Sequence, residues 1–153
     1  MKQGIFEIKE NTSLAPLVYK MVLEGEMPED TRPGQFVNIK IDGFYLRRPI
    51  SLCDFSRDSM MVIYKVVGHG TDVMSSMQPG LKLDILTGLG NGYDLSKAGE
   101  HPVLMGGGAG VPPMYALAKA LISKGCRVTA ILGFNTAKEI FYEKEFKEIG
   151  CGT

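Results

Sequence analysis

The sequence has no excess of charge: 17 lysines and arginines face 17 aspartates and glutamates in 153 residues. It therefore lacks a basic footprint for nucleic acid and a polybasic patch for a membrane surface. No apolar run approaches the roughly 20 residues that cross a bilayer, and the opening MKQGIFEIKE holds no signal-peptide core. Histidines number two and cysteines three. Cys53, Cys126 and Cys151 are odd in number and far apart. They exclude a self-contained four-cysteine zinc or iron–sulfur site, and they read as small buried hydrophobes of a reduced, cytoplasmic protein. His69 lies between two glycines with no second histidine or nearby cysteine to pair with, and reads as exposed.

What the chain does have is alternation. Residues 4–10, 17–24, 35–41, 49–54, 60–67 and 81–85 each switch between apolar and polar positions or run rich in Val, Ile and Tyr, with Pro/Gly turns between them. Within them Leu17, Tyr19, Met21 and Leu23 share one face, and Val37, Ile39 and Ile41 another. Six short strands at this spacing predict a small closed antiparallel barrel, which also removes exposed edges.

From Leu95 the period changes. Pro102-Val103-Leu104-Met105 reads as a strand buried on both faces. Met114, Leu117, Ala118 and Leu121 recur at helical spacing, with Gly125 as the C-cap. Residues 127–132 form a further strand. Thr136-Ala-Lys-Glu139 reads as a capping box opening a second helix with the stripe Tyr142, Phe146 and Ile149. The order β-α-β-α predicts a parallel sheet with right-handed crossovers. The last four residues fall where another strand is expected, so this half reads as truncated. The predicted organisation is a barrel domain over residues 1–98 and the first part of an α/β domain over 99–153.

Three stretches carry candidate chemistry. Gly106, Gly107, Gly108 and Gly110, followed by Val111-Pro112-Pro113, form a strand–glycine–helix junction, which is either a phosphate cradle or a tight turn without ligand. It matches neither G-x-G-x-x-G nor a P-loop. Arg47-Arg48-Pro49-Ile50-Ser51 places two guanidinium groups before a strand, either as solvated surface or as a phosphate fork. Ile63-Tyr64-Lys65 runs into Gly68-His69-Gly70-Thr71, either a second phosphate contact or an ordinary hairpin turn.

Taken together, LRRPISL, YKVVGHGT, GLGNGYDL and GGGAGVPPMYALAKAL resemble the ferredoxin–NADP reductase superfamily, and within it the electron-transfer subunits of B-type dihydroorotate dehydrogenases. The resemblance runs from about Gly34 to the last residue. It implies an FAD-binding barrel and a Rossmann-like NAD-binding half. Arg48 would hold the FAD pyrophosphate. Pro49, Ile50 and Ser51 would line the flavin ring, with Ser51 near N5. Ile63, Tyr64 and Lys65 would flank it, and Gly70 and Thr71 would bind phosphate. Gly106, Gly107, Gly108, Gly110, Val111 and Pro112 would receive NAD.

The resemblance also implies an FMN-containing dihydroorotate dehydrogenase partner, a heterotetramer and a role in pyrimidine synthesis. A [2Fe–2S] cluster would be held by four cysteines beyond this chain, so Cys126 and Cys151 are not assigned to it. No catalytic acid or base is expected. The resemblance implies NAD over NADP; the residues that would read the ribose lie around 133–136 and beyond, and no arginine stands at 133–136 to favour a 2′-phosphate. The chain departs from the family at Ile50, where many members have tyrosine, and at Thr87-Gly88, where Gly-Pro is common.

Overall fold

The computed structural model describes residues 1–153. Six strands, β1 (Lys2–Ala15), β2 (Val18–Glu24), β3 (Phe36–Ile39), β4 (Arg48–Phe55), β5 (Ser59–Lys65) and β6 (Lys82–Leu89), close a barrel in the order β1-β2-β5-β4-β3-β6. Every neighbouring pair is antiparallel. Period-two alternation turns Phe6, Ile8, Met21, Leu23, Val37, Ile39 and Ile85 into the interior, all essentially inaccessible to solvent.

β1 outruns the predicted residues 4–10 because its first half pairs with β6 and its second half with β2. Leu17 does not share the inward face of Met21 and Leu23. It sits in the β1–β2 turn at φ 60 and is 57% exposed. Pro16 before it suits the second position of a turn that needs a positive φ next, and the Leu17 carbonyl accepts from the Val66 N–H at 2.8 Å.

Residues 68–71 do not form a hairpin turn. They open a short helix, α1 (His69–Ser75), which crosses between β5 and β6 and buries Met74 in the barrel core.

The second half begins with β7 (Val103–Gly107), followed by α2 (Pro112–Ser123) and β8 (Thr129–Gly133), which pairs parallel with β7. Gly125, at φ 89, ends α2 as the sequence predicts: its N–H reaches the Ile122 carbonyl and that of Cys126 reaches Leu121.

Two expectations fail here. Thr136 makes no side-chain cap. Residues Ala137–Glu139 form a single 3₁₀ turn, and the helix α3 (Glu143–Glu148) starts only after Tyr142, which adopts φ 66. The capping box loses because Phe141 and Tyr142 are both drawn into the core, which breaks the helical path. The apolar stripe survives, with Tyr142 and Phe146 buried and Ile149 packed beside them. β7 is also not buried on both faces. Leu104 and Gly106 face α2, but Val103 is 61% and Met105 72% exposed, because the helices lie on one side of the sheet. Gly152 bridges Thr129 in parallel along the other edge of β8.

The halves share a core. Val111, Leu117, Leu121 and Phe146 pack with Ala15, Val18, Cys53 and Ile63 from the outer surface of the barrel. Lys119 of α2 pairs with Asp54 of β4 at 2.6 Å. The junction is thus apolar with a polar clasp, and burial supplies most of its strength. It fixes β4, which begins with Arg48, against the helix that follows the glycine turn.

Candidate functional site

The two arginines before β4 divide their work. Arg47 turns to the barrel rim, donating to the Asn38 carbonyl at 3.4 Å, the Asp84 carbonyl at 3.1 Å and the Asp84 carboxylate at 3.0 Å. That hydrogen bond holds the Asp84 carboxyl below its usual range, and Arg47 is a structural residue. Arg48 turns the other way. Its guanidinium stands 4.9 Å from the Phe44 ring centroid and donates to the Leu46 carbonyl, and it lies flat on Gly70 of α1. A Cβ built on Gly70 would fall 2.3 Å from Arg48 Nε and 2.4 Å from Nη2. Gly70 is therefore glycine for close approach and not for a positive φ.

Arg48 lines a cavity of about 320 Å³ with Pro49, Ile50, Ser51, Ile63, Tyr64, Lys65, Val67 and Thr71 of the barrel and Ala109 of the glycine turn. Residues from two strands and a helix, distant in sequence, meet here. Of the barrel positions expected to meet FAD, all but Gly70 line this one cleft between the halves. A second, tighter cavity of about 20 Å³ shares the wall Ile63-Tyr64-Lys65 and Ala109, and adds Gly108, Pro112, Phe134, Glu139 and Phe141. The barrel site and the glycine turn thus share a wall.

Not every predicted residue presents itself to these cavities. Tyr64 borders both cavities, but its ring packs in the barrel core and the residue is 3% exposed. Val111 is fully buried in the core between the halves, and a Cβ on Gly106 would come within 2.6 Å of the Gly110 carbonyl; both shape the turn from behind. Gly108 and Gly110 have nothing within 4 Å of where a Cβ would stand, and Gly107 nothing closer than 4.0 Å. Bare backbone there faces open space.

The donors differ from the sequence reading. Pro112 and Pro113 carry no N–H, and the N–H groups of Val111 and Met114 already reach the Gly108 and Val111 carbonyls. An anion at this turn would meet the glycine backbone and not the first turn of α2. Thr71 likewise spends its hydroxyl internally: Oγ1 accepts from the Val67 and Gly68 N–H groups at 3.0 and 3.2 Å and donates to the Gly68 carbonyl at 3.0 Å. What α1 offers is the backbone N–H groups of its first turn, which no helical carbonyl can reach.

Sequence reasoning missed Phe44, whose ring carries Arg48 on one contact and meets His69 edge-on at 5.3 Å. The aromatic pair Phe44-Tyr45, one residue ahead of the arginines, was the available signal. It also missed Phe134 and Phe141, which pack edge-to-face at 5.2 Å beside the glycine turn; no local pattern marks them. Cys53 and Cys151 are buried as read, whereas Cys126 is only half-buried. All three are free, and burial pushes the Cys53 thiol far above its ordinary value, so it is an inert part of the core.

No family model matches the chain. In sequence it is similar to the dihydroorotate dehydrogenase B (NAD(+)) electron transfer subunit of Enterococcus faecalis strain OG1RF, 43% identical over 156 residues, covering 97% of this chain and 59% of that protein. The corresponding subunit of Fusobacterium nucleatum is 46% identical over 151 residues, covering 94% of this chain and 58% of that one. In structure it is similar to an NADH-dependent reduced ferredoxin-NADP oxidoreductase of flavin-based electron bifurcation, with a TM-score of 0.86 and 30% identity, covering 96% of this chain and 54% of the other. The chain spans about three fifths of the length of the curated relatives it matches. On a six-stranded barrel joined to a parallel α/β half, and on identity above 40% along nearly its whole length, the chain belongs to the family of dihydroorotate dehydrogenase B electron transfer subunits, within the ferredoxin–NADP reductase superfamily.

Proposed function

We propose that this chain holds FAD in the cleft at Arg48 and presents it to a nicotinamide bound at the glycine turn, as part of an electron-transfer subunit. One observation carries the reading: the Arg48 guanidinium, braced on Phe44 and Gly70, lines a cavity that the barrel and the glycine turn build together. The residues fit the group. A diphosphate needs a cation with donors in a fork and unobstructed backbone N–H groups, and Arg48 and the first turn of α1 supply them. A planar ring needs a slot of apolar and small polar side chains, and Pro49, Ile50, Ser51 and Ile63 supply it. Glycines 107, 108 and 110 leave room for a dinucleotide's backbone to approach.

Bound FAD would exchange a hydride with NAD at its ring and single electrons with an iron–sulfur cluster. The chain's own residues then bind, orient and exclude water. Arg48 anchors the phosphates, and Ser51 gives a hydroxyl at the ring edge. Lys65 lines both cavities and would supply a positive charge beside a bound flavin. The clasp between Asp54 and Lys119 keeps the two binding halves in register. In the complete protein we propose that electrons come from an FMN-containing dihydroorotate dehydrogenase subunit through a [2Fe–2S] cluster and leave on NAD. The subunits would form a heterotetramer in the cytoplasm serving pyrimidine synthesis. What supports this is the family, together with three free thiols.

A second reading, a flavin subunit exchanging electrons with ferredoxin, is favoured by the likeness to the ferredoxin-NADP oxidoreductase. The experiment that tests the first is a visible spectrum of the intact protein before and after NADH. A yellow protein bleached by NADH and reoxidised through the dihydroorotate dehydrogenase subunit supports it. A colourless one refutes it, and reoxidation by ferredoxin alone selects the second reading.

A further inference from the structure

Asn11 belongs to no binding motif and touches neither cavity. It sits on β1, yet its amide joins two other elements. Nδ2 donates to the Met74 carbonyl at 2.8 Å, in the last turn of α1, and to the Met77 carbonyl at 3.0 Å, two residues past its end. Oδ1 accepts from the Tyr64 hydroxyl of β5 at 2.9 Å. Tyr64 is buried and stacked on Tyr19, centroids 5.9 Å apart. Three of the four hydrogen bonds one amide can make are therefore spent in tying β5 to α1. Residues 65–68 run between these two tied points, and Lys65 and Val67 of that segment line the Arg48 cavity.

We infer that Asn11 is a positioning residue for the phosphate end of the site: it latches α1 to β5 and so keeps Gly70 seated against the Arg48 guanidinium. The inference rests on the flavin reading above. The geometry explains why a latch is needed. α1 has seven residues, too short to hold itself, and it reaches the barrel core chiefly through Met74. Gly70 lies one turn from Met74, about 6 Å along the axis, so a tilt of about 10° at the latched end moves Gly70 by about 1 Å. That displacement is enough to spoil a forked contact between guanidinium and phosphate. Asn11 acts on the site only through the helix it holds.

The test uses the intact protein loaded with FAD, with Asn11→Leu, which keeps the bulk and removes the amide, and Tyr64→Phe, which removes one bond of the latch. Asn11→Leu is expected to speed FAD release about tenfold, the effect of roughly one lost hydrogen-bonded contact, and Tyr64→Phe by less. Amides of α1 are expected to lose hydrogen-exchange protection while those of β1 and β2 keep theirs, and in Asn11→Leu the rate of flavin reduction by NADH at saturating FAD is expected to stay unchanged. Unchanged FAD release in Asn11→Leu overturns the latch and leaves the flavin reading standing. So does protection lost equally across the barrel, which would make Asn11 merely structural. A wild-type protein that binds no FAD overturns the flavin reading and the latch with it. If Asn11→Leu does not fold, Asn11→Ala decides: faster release supports the latch, and unchanged release overturns it.

Discussion

Replacing Gly70 with alanine would put a methyl carbon 2.3 Å from Nε, 2.4 Å from Nη2 and 2.6 Å from Cζ of Arg48. Ordinary contact needs the guanidinium to withdraw by about 1 Å. It can do so, because it is the far end of a flexible side chain, so the fold should not suffer. Alanine should even favour α1 by about 0.5–1 kcal/mol, since glycine costs that much in a helix and no positive φ is required at this position. The flavin should feel the opposite. A displaced guanidinium forfeits a charge-assisted bond to phosphate worth about 1.5–3 kcal/mol, which is about ten- to hundredfold in the dissociation constant. Gly70→Ala is thus expected to raise the melting temperature of the apoprotein slightly while weakening FAD, measured by thermal denaturation and by fluorescence titration of the same preparation. An unchanged FAD dissociation constant would refute the placement of the phosphates at Arg48. Parallel losses of stability and affinity would show that glycine is needed there for the fold instead.

Other expectations follow from single observations. Leu17→Gly removes a left-handed leucine from the β1–β2 turn and should stabilise the protein by about 1 kcal/mol in chemical denaturation; a destabilised variant would mean that the half-exposed side chain contributes more than the strain. Phe146→Ala empties a fully buried position in the core between the halves and should cost about 3–5 kcal/mol; a cost below about 1 kcal/mol would contradict that core. Burial pushes the Tyr64 phenol up to about 12 from its ordinary 10.0. The fold thus favours the neutral form, so this group's contribution is complete below pH 10 and lost as the pH climbs toward 12. Tyr64→Phe should flatten the alkaline limb of the stability profile, and an unaltered limb would refute it.

How much of this was legible beforehand depends on the length scale of the signal. The barrel strands were, because alternation is a local consequence of one face being buried, and Val37, Ile39 and Ile41 all went inside. Leu17 escaped because alternation cannot tell a strand's first residue from the last of its turn. α1 was invisible because Gly68-His69-Gly70 looks like a turn; the clue was the spacing of Val73, Met74 and Met77, only one turn long. Thr136 to Glu139 carries every local mark of a helix start, yet Phe141 and Tyr142 gain more by burial than the helix gains by beginning there. Arg47 and Arg48 are identical in type and adjacent. Only the pleat, which sends neighbours to opposite sides, separates the rim residue from the one in the cleft. The glycine turn announced itself, but its donors did not, since the two prolines that mark the helix start also strip it of N–H groups.

The central claim is that Arg48 meets a phosphate. The measurement that tests it most directly compares the binding of FAD with that of riboflavin, which has no phosphate, in the wild-type protein and in Arg48→Ala. The account predicts that the substitution weakens FAD about tenfold or more and leaves riboflavin untouched. Equal weakening of both ligands, or of neither, would contradict it.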